Sequence, residues 1–388
     1  MHGRAPPWPS HARGEETQLP ARSGRDTAAL ASGGIASMVR LALPSRPAMT
    51  PTLPPNHPVV KSPKVGVLLL NLGTPDGTDY WSVRRYLSEF LSDPRVIETP
   101  QAIWQPILQG IILSTRPQKS GANYARIWDK EANDSPLRVI TKRQTADMQR
   151  RLGAGVVVDY AMRYGNPSTQ SRLEALQQAG CQKILLAPLY PQYSATTTAT
   201  ANDKAFDALK KMRWQPAVRT LPAYFDQPAY VAALARSIED GVKALAFEPD
   251  VILTSYHGMP QLYLERGDPY HCQCLKTTRL VREHLGWPED KLAVTFQSRF
   301  GPTKWLGPAT DATLETLGKA GRKVAVVAPA FSVDCIETLE EIAITGKEQF
   351  EHAGGNGEHY AYIPCLNDSP GGMDMLESVI RNELSGWI

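Results

Sequence analysis

The sequence Val251-Ile-Leu-Thr-Ser-Tyr-His-Gly-Met-Pro260 is an apolar run that ends in a histidine and two chain-breaking residues. The run predicts a buried β-strand, and Gly258 and Pro260 predict that this strand ends at His257. In open α/β sheets, ligands bind beyond the carboxyl ends of the strands, so an imidazole in that place is a candidate site residue. A histidine beside a glycine turn is also common as a simple turn residue, so His257 needs partners elsewhere in the chain.

Three segments recur in the same order in both halves of the chain, which indicates an internal repeat. Residues 68–73 correspond to 251–258, residues 160–165 to 296–301, and residues 179–188 to 320–329. One such match could arise by chance, but three in the same order indicate two halves of similar structure.

The segments between the predicted strands have helical patterns, as in residues 228–246 and 311–321. Alternation of strands and helices predicts parallel sheets with crossover helices. We therefore expect an α/β protein with two similar domains, each with a parallel sheet flanked by helices, and a cleft between them. The expected domains are residues 63–222 and 223–388, with the C-terminal helix packing back on the first.

Residues 1–62 are rich in Pro, Arg, Ser and Gly and are predicted to be a disordered N-terminal extension. The apolar region 28–43 is interrupted by Gly33, Gly34 and Arg40, so it is a poor signal peptide. No run approaches the roughly 20 apolar residues that a membrane-spanning helix needs.

The first half has an insertion between its first and second repeat matches, at about residues 75–150. It contains Trp104-Gln-Pro-Ile-Leu-Gln-Gly-Ile-Ile-Leu113, an apolar segment interrupted by Pro106 and Gly110. We call Trp104–Leu113 the lip. It can be ordinary core, or it can cover the cleft and contact a flat apolar ligand or a membrane surface.

Composition excludes several classes of protein. The chain has 388 residues, 42% of them hydrophobic, and a formal net charge of +3, so nothing in its charge favours nucleic acid. Its five cysteines are scattered, which is typical of a reducing compartment and argues against a cysteine-held metal cluster. Neither a Gly-x-Gly-x-x-Gly motif nor a P-loop follows any predicted strand, which argues against dinucleotides and nucleoside triphosphates.

Partners for His257 follow the last repeat strand. Residues 334–342 predict a helix in which Glu337 and Glu341 share one face. The plain structural interpretation is that Asp334 and Glu337 form a capping box while Glu340 and Glu341 face water. The alternative is that an imidazole opposite carboxylates binds a divalent metal and exchanges protons near neutral pH.

At these residues the chain resembles the ferrochelatases. The resemblance runs from about Val65 to the end of the chain, over motifs at residues 70–75, 189–194, 255–260, 267–270, 296–301 and 337–342. It implies two Rossmann-like domains of the chelatase type and the last step of haem biosynthesis, the insertion of Fe²⁺ into protoporphyrin IX. The pattern is most similar to proteobacterial members.

The resemblance also implies roles for individual residues. It makes His257 and Glu337 the residues that bind metal and handle protons, with Glu341 as a further catalytic carboxylate in the relay. Porphyrin-binding positions fall into two groups, namely Leu72, Tyr190 and Trp305 on the ring, and Arg116, Tyr124 and Ser135 near the propionates.

Two departures from the family pattern matter. Ala195 stands where some members have a cluster-binding cysteine, and no cysteine follows Cys365, so no iron–sulfur cluster and no permanently bound cofactor are expected. Cys335 stands where other members have histidine. Porphyrin and ferrous iron are the expected partners of a monomer in the cytoplasm, and contact with the inner membrane would be peripheral.

Three alternatives stay open from sequence alone. The substrate could be coproporphyrin, which differs in its number of propionates. A non-catalytic tetrapyrrole or metal carrier would need the pocket without the proton-handling residues. A two-domain solute-binding protein would normally be exported, and the poor signal sequence counts against it.

Overall fold

The computed structural model describes residues 56–57, 61–301 and 303–388. The disorder predicted for residues 1–62 lies outside these ranges, apart from four positions. The described residues from 61 onward form one compact unit that contains both halves of the repeat.

The described chain contains eight β-strands and twelve α-helices. The strands are β1 (Lys64–Thr74), β2 (Val156–Gly165), β3 (Cys181–Pro188), β4 (Ala217–Thr220), β5 (Val251–His257), β6 (Leu292–Gln297), β7 (Val324–Val327) and β8 (Tyr360–Ile363). The helices are α1 (Tyr80–Leu91), α2 (Gln101–Ile107), α3 (Leu113–Ile127), α4 (Pro136–Leu152), α5 (Thr169–Gln178), α6 (Thr200–Lys211), α7 (Pro228–Lys243), α8 (Gln261–Glu265), α9 (Tyr270–Leu285), α10 (Thr310–Lys319), α11 (Lys347–His352) and α12 (Pro370–Leu384).

The strands form two parallel sheets with the same topology. Their orders are β2-β1-β3-β4 and β6-β5-β7-β8. All three sequence matches of the repeat fall on equivalent elements, because they cover β1 and β5, β2 and β6, and β3 and β7. The predicted α/β class with two similar halves is therefore confirmed.

The central strands are buried on both faces. Residues Val65 to Leu70 of β1 and Val251 to Tyr256 of β5 are buried, as a strand with helices on both sides requires. One core joins the halves, since Val67 and Leu69 of the first sheet share it with Ile252 and Val327 of the second.

Helix α12 packs on α4 and α7, and Arg151 Nη1 of α4 lies 2.7 Å from Asp374 and 2.9 Å from Glu377. The domain boundary at residues 222–223 stays a prediction.

The insertion contains four helices, α1 to α4, whereas the equivalent connection between β5 and β6 has two. The lip lies in α2 and in a π-helical turn, Leu108–Ile112, which continues into α3. Leu108 and Leu113 are buried in a local core with α1, while Ile103 is 60% exposed and Ile111 65% exposed. The lip is thus core on one side and an exposed apolar surface on the other.

Candidate functional site

His257 ends β5 as the sequence predicts, partly buried at the carboxyl edge of the second sheet. Its Nδ1 lies 2.7 Å from the carbonyl oxygen of Gly258. A carbonyl only accepts, so Nδ1 carries the proton and Nε2 keeps its lone pair for a metal or a proton. Gly258 is required here, because a Cβ atom would lie 2.4 Å from the Gln297 carbonyl oxygen.

The helix after β7 is a π-helix, Ile336–Gly346, and we call it the acidic π-helix because it carries Glu337, Glu340 and Glu341. The predicted capping box of Asp334 and Glu337 is wrong. Cys335 is the N-cap, and its backbone N–H donates to Thr338 Oγ1 at 3.0 Å.

Asp334 is buried and is engaged by other elements of the second half. Its carboxylate accepts hydrogen bonds from the Tyr362 hydroxyl and the Asn367 amide, both at 2.6 Å. Thr338 Oγ1 of the acidic π-helix also donates to this carboxylate, at 3.0 Å, so Asp334 contacts the first turn through a side chain while Cys335 is the N-cap.

The interpretation in which Glu340 and Glu341 face water is also wrong. Glu340 is buried, and Glu341 is partly buried. Glu341 Oε2 accepts a hydrogen bond of 2.6 Å from Ser298, which follows β6. The acidic π-helix therefore turns these carboxylates into the protein.

Burial raises the pKa of Glu341, and the neighbouring charge of Glu337 raises it further. The hydrogen bond from Ser298 and the charge of His257 act in the opposite direction. These influences place His257, Glu337 and Glu341 within electrostatic reach of one another. A carboxyl group that keeps its proton to higher pH than usual is suited to passing protons.

Glu337 is oriented through its own backbone. Its carbonyl oxygen accepts from Gln297 Nε2 at 2.7 Å, and Gln297 Oε1 accepts from Ser255 Oγ at 2.8 Å. The acidic π-helix packs on α3, and burial and then the charge of Glu337 raise the pKa of Tyr124 in α3. Glu337 thus faces the insertion of the first half.

A second group of predicted residues lies between α3 and the loop after β6. Arg116 is exposed, and its guanidinium lies 5.7 Å from the ring centre of Phe300. The Phe300 and Trp305 rings are 5.0 Å apart, and Trp305 Nε1 donates to the Phe300 carbonyl oxygen at 3.0 Å. Arg116 and Trp305 are therefore brought together through Phe300.

The remaining predicted residues lie in the first half. Tyr190 follows β3 and is buried, and its hydroxyl has no hydrogen-bond partner among the described residues. Leu72 is near the end of β1 and packs on two local cores. Ser135 is buried as the N-cap of α4. Its hydroxyl oxygen accepts a hydrogen bond from the backbone N–H of Arg138, which is a structural role.

The sequence reasoning missed Gln297, Ser298 and Phe300. All three lie at or just after the carboxyl end of β6, within the segment 296–301 that belongs to the repeat. The strand-end argument that selected His257 would have selected them as well.

A charged cavity of about 1060 Å³ lies elsewhere, between α1, α6 and the loop 92–100. None of the predicted site residues lines it. Several of its cations are already paired, as in Arg95 with Asp203 at 2.8 Å and Lys204 with Glu89 at 3.5 Å. We therefore place the chemistry at the ends of β5 and β6, despite the size of this cavity.

In residues 61–301 and 303–388, three or more His, Cys, Asp or Glu side chains nowhere converge as a ready-made metal site. Within those ranges no helix is both long and apolar enough to cross a membrane.

Comparison of structures identifies chelatases as neighbours in fold. SirB from Bacillus subtilis with Fe³⁺ has a TM-score of 0.50 at 10% sequence identity, over 82% of this chain and 95% of SirB. SirB in complex with cobalt also has a TM-score of 0.50, at 9% identity. At such low identity these likenesses concern the fold alone.

Sequence comparison gives the family. The ferrochelatase family model matches residues 64–384. A ferrochelatase of Allorhizobium ampelinum is 61% identical over 87% of this chain and 98% of its own length, and one of Rhizobium meliloti is 60% identical over 86% and 98%. The chain belongs to the ferrochelatase family.

Proposed function

We propose that this chain, an enzyme of the lyase class, inserts Fe²⁺ into protoporphyrin IX to give protohaem. The observation that carries the proposal is that the acidic π-helix meets the strand ends of the second sheet. Gln297, which pairs with His257, donates to the Glu337 carbonyl oxygen at 2.7 Å. Ser298 donates to the Glu341 carboxylate at 2.6 Å. Family membership supports protoporphyrin chelation, and it favours neither coproporphyrin chelation nor a non-catalytic carrier.

The reaction balances as one Fe²⁺ entering and two pyrrole N–H protons leaving, so the site must accept protons. We assign the first acceptance to His257 Nε2, whose lone pair is left free by the bond of Nδ1 to Gly258. The imidazole then passes the proton to Glu337, and Glu337 passes it to Glu341. The raised pKa of Glu341 suits this carboxyl group to accepting the proton. In this proposal His257 and Glu337 also contact the metal as it loses water, and His257 does so through Nε2 only while that atom carries no proton.

Ring binding is proposed for apolar and aromatic side chains. Leu72, Tyr190 and Trp305 would contact the macrocycle. The free energy of binding would bend the ring, and bending exposes the lone pairs of its nitrogen atoms. Arg116, Tyr124 and Ser135 would lie near the propionates. Arg116 is supported by its exposure beside Phe300 and by the lack of an ion pair with any described carboxylate, since the carboxylate of a ligand could pair with this cation.

The direct test is anaerobic incubation of the purified protein with Fe²⁺ and protoporphyrin IX, with haem formation followed by absorbance. Coproporphyrin III in a parallel reaction tests the alternative substrate. Faster turnover of coproporphyrin III would overturn the assignment, and binding of both porphyrins without haem formation would favour a carrier.

We also propose that the enzyme is cytoplasmic and monomeric and that it contacts the inner membrane peripherally through the lip. Four apolar side chains on or beside the lip support the contact, with Trp81 63%, Ile103 60%, Ile107 40% and Ile111 65% exposed. Such a contact would give an apolar porphyrin a short path from the membrane to the site.

A further inference from the structure

Arg126 of α3 reaches across to the second half and binds two carboxylates there. Its Nη1 lies 2.8 Å from Glu340 in the acidic π-helix, and its Nη2 lies 2.5 Å from Glu348 in α11. Thr345 Oγ1 also donates to Glu340 at 3.0 Å. The insertion and the acidic π-helix are thus joined by an ion pair between residues distant in sequence.

The two ion pairs differ in strength. The Glu340 side chain is 7% exposed, so its charge is separated from water and needs a cation beside it. The Glu348 side chain is 48% exposed, and water and salt weaken that pair. Loss of the guanidinium would leave the charge of Glu340 buried and uncompensated, which a shift of the acidic π-helix could relieve.

Glu340 lies directly before Glu341 and three positions after Glu337. A π-helix is a poor helical form that persists where its surroundings hold it. Elements of the second half supply part of this support, since the Tyr360 hydroxyl donates to Ile342 at 2.7 Å and Gln297 donates to Glu337. Arg126 supplies support from the first half, at the residue adjoining Glu341.

Helix α3 also packs on the acidic π-helix. Tyr124, two residues before Arg126, is buried in α3. Because α3 continues directly from the lip, the position of the lip and the position of the carboxylates are fixed relative to each other through this one helix.

We propose that Arg126 is a positioning residue for the reaction. Through Glu340 it holds the face of the acidic π-helix that carries Glu337 and Glu341 at a fixed distance from the ring covered by the lip. This inference rests on the proposed function, because the distance matters only if those carboxylates handle protons from a bound porphyrin.

The test is steady-state kinetics of iron insertion by Arg126→Gln, Arg126→Lys, Glu340→Gln and the double variant Arg126→Gln/Glu340→Gln. In Arg126→Gln, kcat should fall about 10-fold, within the range that a small misplacement of reacting groups causes. The KM for porphyrin should change less than about twofold, because ring contacts are kept. Arg126→Lys keeps a cation beside Glu340 and should retain at least about half of wild-type kcat.

The double variant separates positioning from general damage. Glu340→Gln removes the buried charge, so adding it to Arg126→Gln should cost nothing further, and kcat should equal that of the worse single variant within about twofold. The matched control is Arg143→Gln, which breaks another ion pair between the halves, at 2.7 Å to Asp368, away from the acidic π-helix. Its kcat should stay within about twofold of wild type.

Wild-type kcat in Arg126→Gln would overturn the inference, as would an equal loss in Arg143→Gln or strictly additive losses in the double variant. If Arg126→Gln does not fold, Glu340→Gln decides, and wild-type kcat with unchanged KM in that variant would overturn the inference. If the wild type forms haem and the variants give any of these overturning results, only the role of Arg126 is refuted. A wild type that forms no haem refutes the proposed function and this inference with it.

Discussion

Ser298 donates a hydrogen bond of 2.6 Å to Glu341 from a left-handed backbone conformation, with φ at 63°. A residue other than glycine rarely adopts this conformation, and when it does the surrounding structure has to hold it there. The loop after β6 is therefore fixed in a form that points a hydroxyl at the carboxylate. The acidic π-helix meets the second sheet at this contact.

His257→Ala should abolish iron insertion while porphyrin still binds. We expect a fall in turnover of at least about 100-fold, because the variant loses the group with a free lone pair at the strand end. Porphyrin affinity should stay within about threefold, since apolar contacts dominate ring binding. Fluorescence quenching measures binding, and His284→Ala on exposed α9 surface is the matched control. Near-normal turnover in His257→Ala would remove His257 from the mechanism.

Glu337→Gln should be stable and inactive. The Glu337 side chain takes no part in the cap of its helix, so the melting temperature should stay within about 2 °C of wild type. Turnover at saturating porphyrin and iron should fall roughly 100-fold or more, because the change keeps the shape and removes the charge. Glu341→Gln should lose less than Glu337→Gln. Wild-type turnover in a stable Glu337→Gln protein would contradict the assignment.

Glu341 should make folding stability depend on pH. Its pKa is raised above the ordinary value of 4.5 in the folded protein, so the folded state holds this proton more tightly than the unfolded state does. The free energy of unfolding therefore decreases as the pH rises from the unfolded pKa through the folded pKa, and it becomes constant above that. The Glu341→Gln variant has no titrating group at this position, so its free energy of unfolding does not include this decrease.

The melting temperature of Glu341→Gln relative to wild type should accordingly increase between about pH 4 and neutral pH. Glu377→Gln should show the opposite trend, with a melting temperature that decreases relative to wild type as the pH rises through the acid range. The reason is that hydrogen bonds from Arg381 and then Arg151 lower the pKa of Glu377. A difference between Glu341→Gln and wild type that is independent of pH would show that burial of Glu341 carries no such linkage.

Replacing Ile103 and Ile111 with serine should weaken binding to lipid vesicles. Ile111 on the lip and Ile103 directly before it are both more than half exposed, so the double change removes apolar surface without opening the core. Flotation with vesicles of mixed neutral and anionic phospholipids measures the effect, and Phe206→Ser on α6, where Phe206 is 40% exposed, is the control. Equal flotation of the lip variant and wild type would exclude the lip as the membrane contact.

The purified protein should show no iron–sulfur absorption. Ala195 replaces the cysteine that some members use, and the described cysteines other than Cys272 are buried free thiols. Burial raises the pKa of the Cys274, Cys335 and Cys365 thiols, which disfavours the thiolate that binds iron. A stoichiometric cluster signal in the visible spectrum and in iron and sulfide analysis would contradict this expectation.

The strands and their ends could be predicted from sequence because they depend on local patterns. The apolar runs of β1 and β5 need burial on both faces, and a glycine must follow where the next residue would strike a neighbouring carbonyl group. Since the strand ends of a parallel sheet define its ligand edge, His257 could be selected from these patterns alone.

The form of the acidic π-helix could not be predicted in the same way. Its composition suits an α-helix, and its wider hydrogen bonding depends on partners such as Tyr360 and Arg126, which lie far away in sequence. The interpretation of Asp334 as the helix cap was wrong for a similar reason, since its carboxylate binds Tyr362 and Asn367, which lie farther along the chain, and the side chain of Thr338. Ion pairs across a fold leave no periodic signal in the chain.

The shared strand order of the two sheets has a consequence for symmetry. When β1 and β5 are aligned at Gly73 and Gly258, Leu72 takes the place of His257, and in both halves a Cβ on the glycine would strike a carbonyl oxygen of the next strand. Two identical copies would give a molecule with two equal imidazoles. Joined in one chain, the copies are free to diverge, so that one retains a titratable group and the other an inert hydrocarbon at the same position. A planar molecule held between them would then have one reactive face and one passive face.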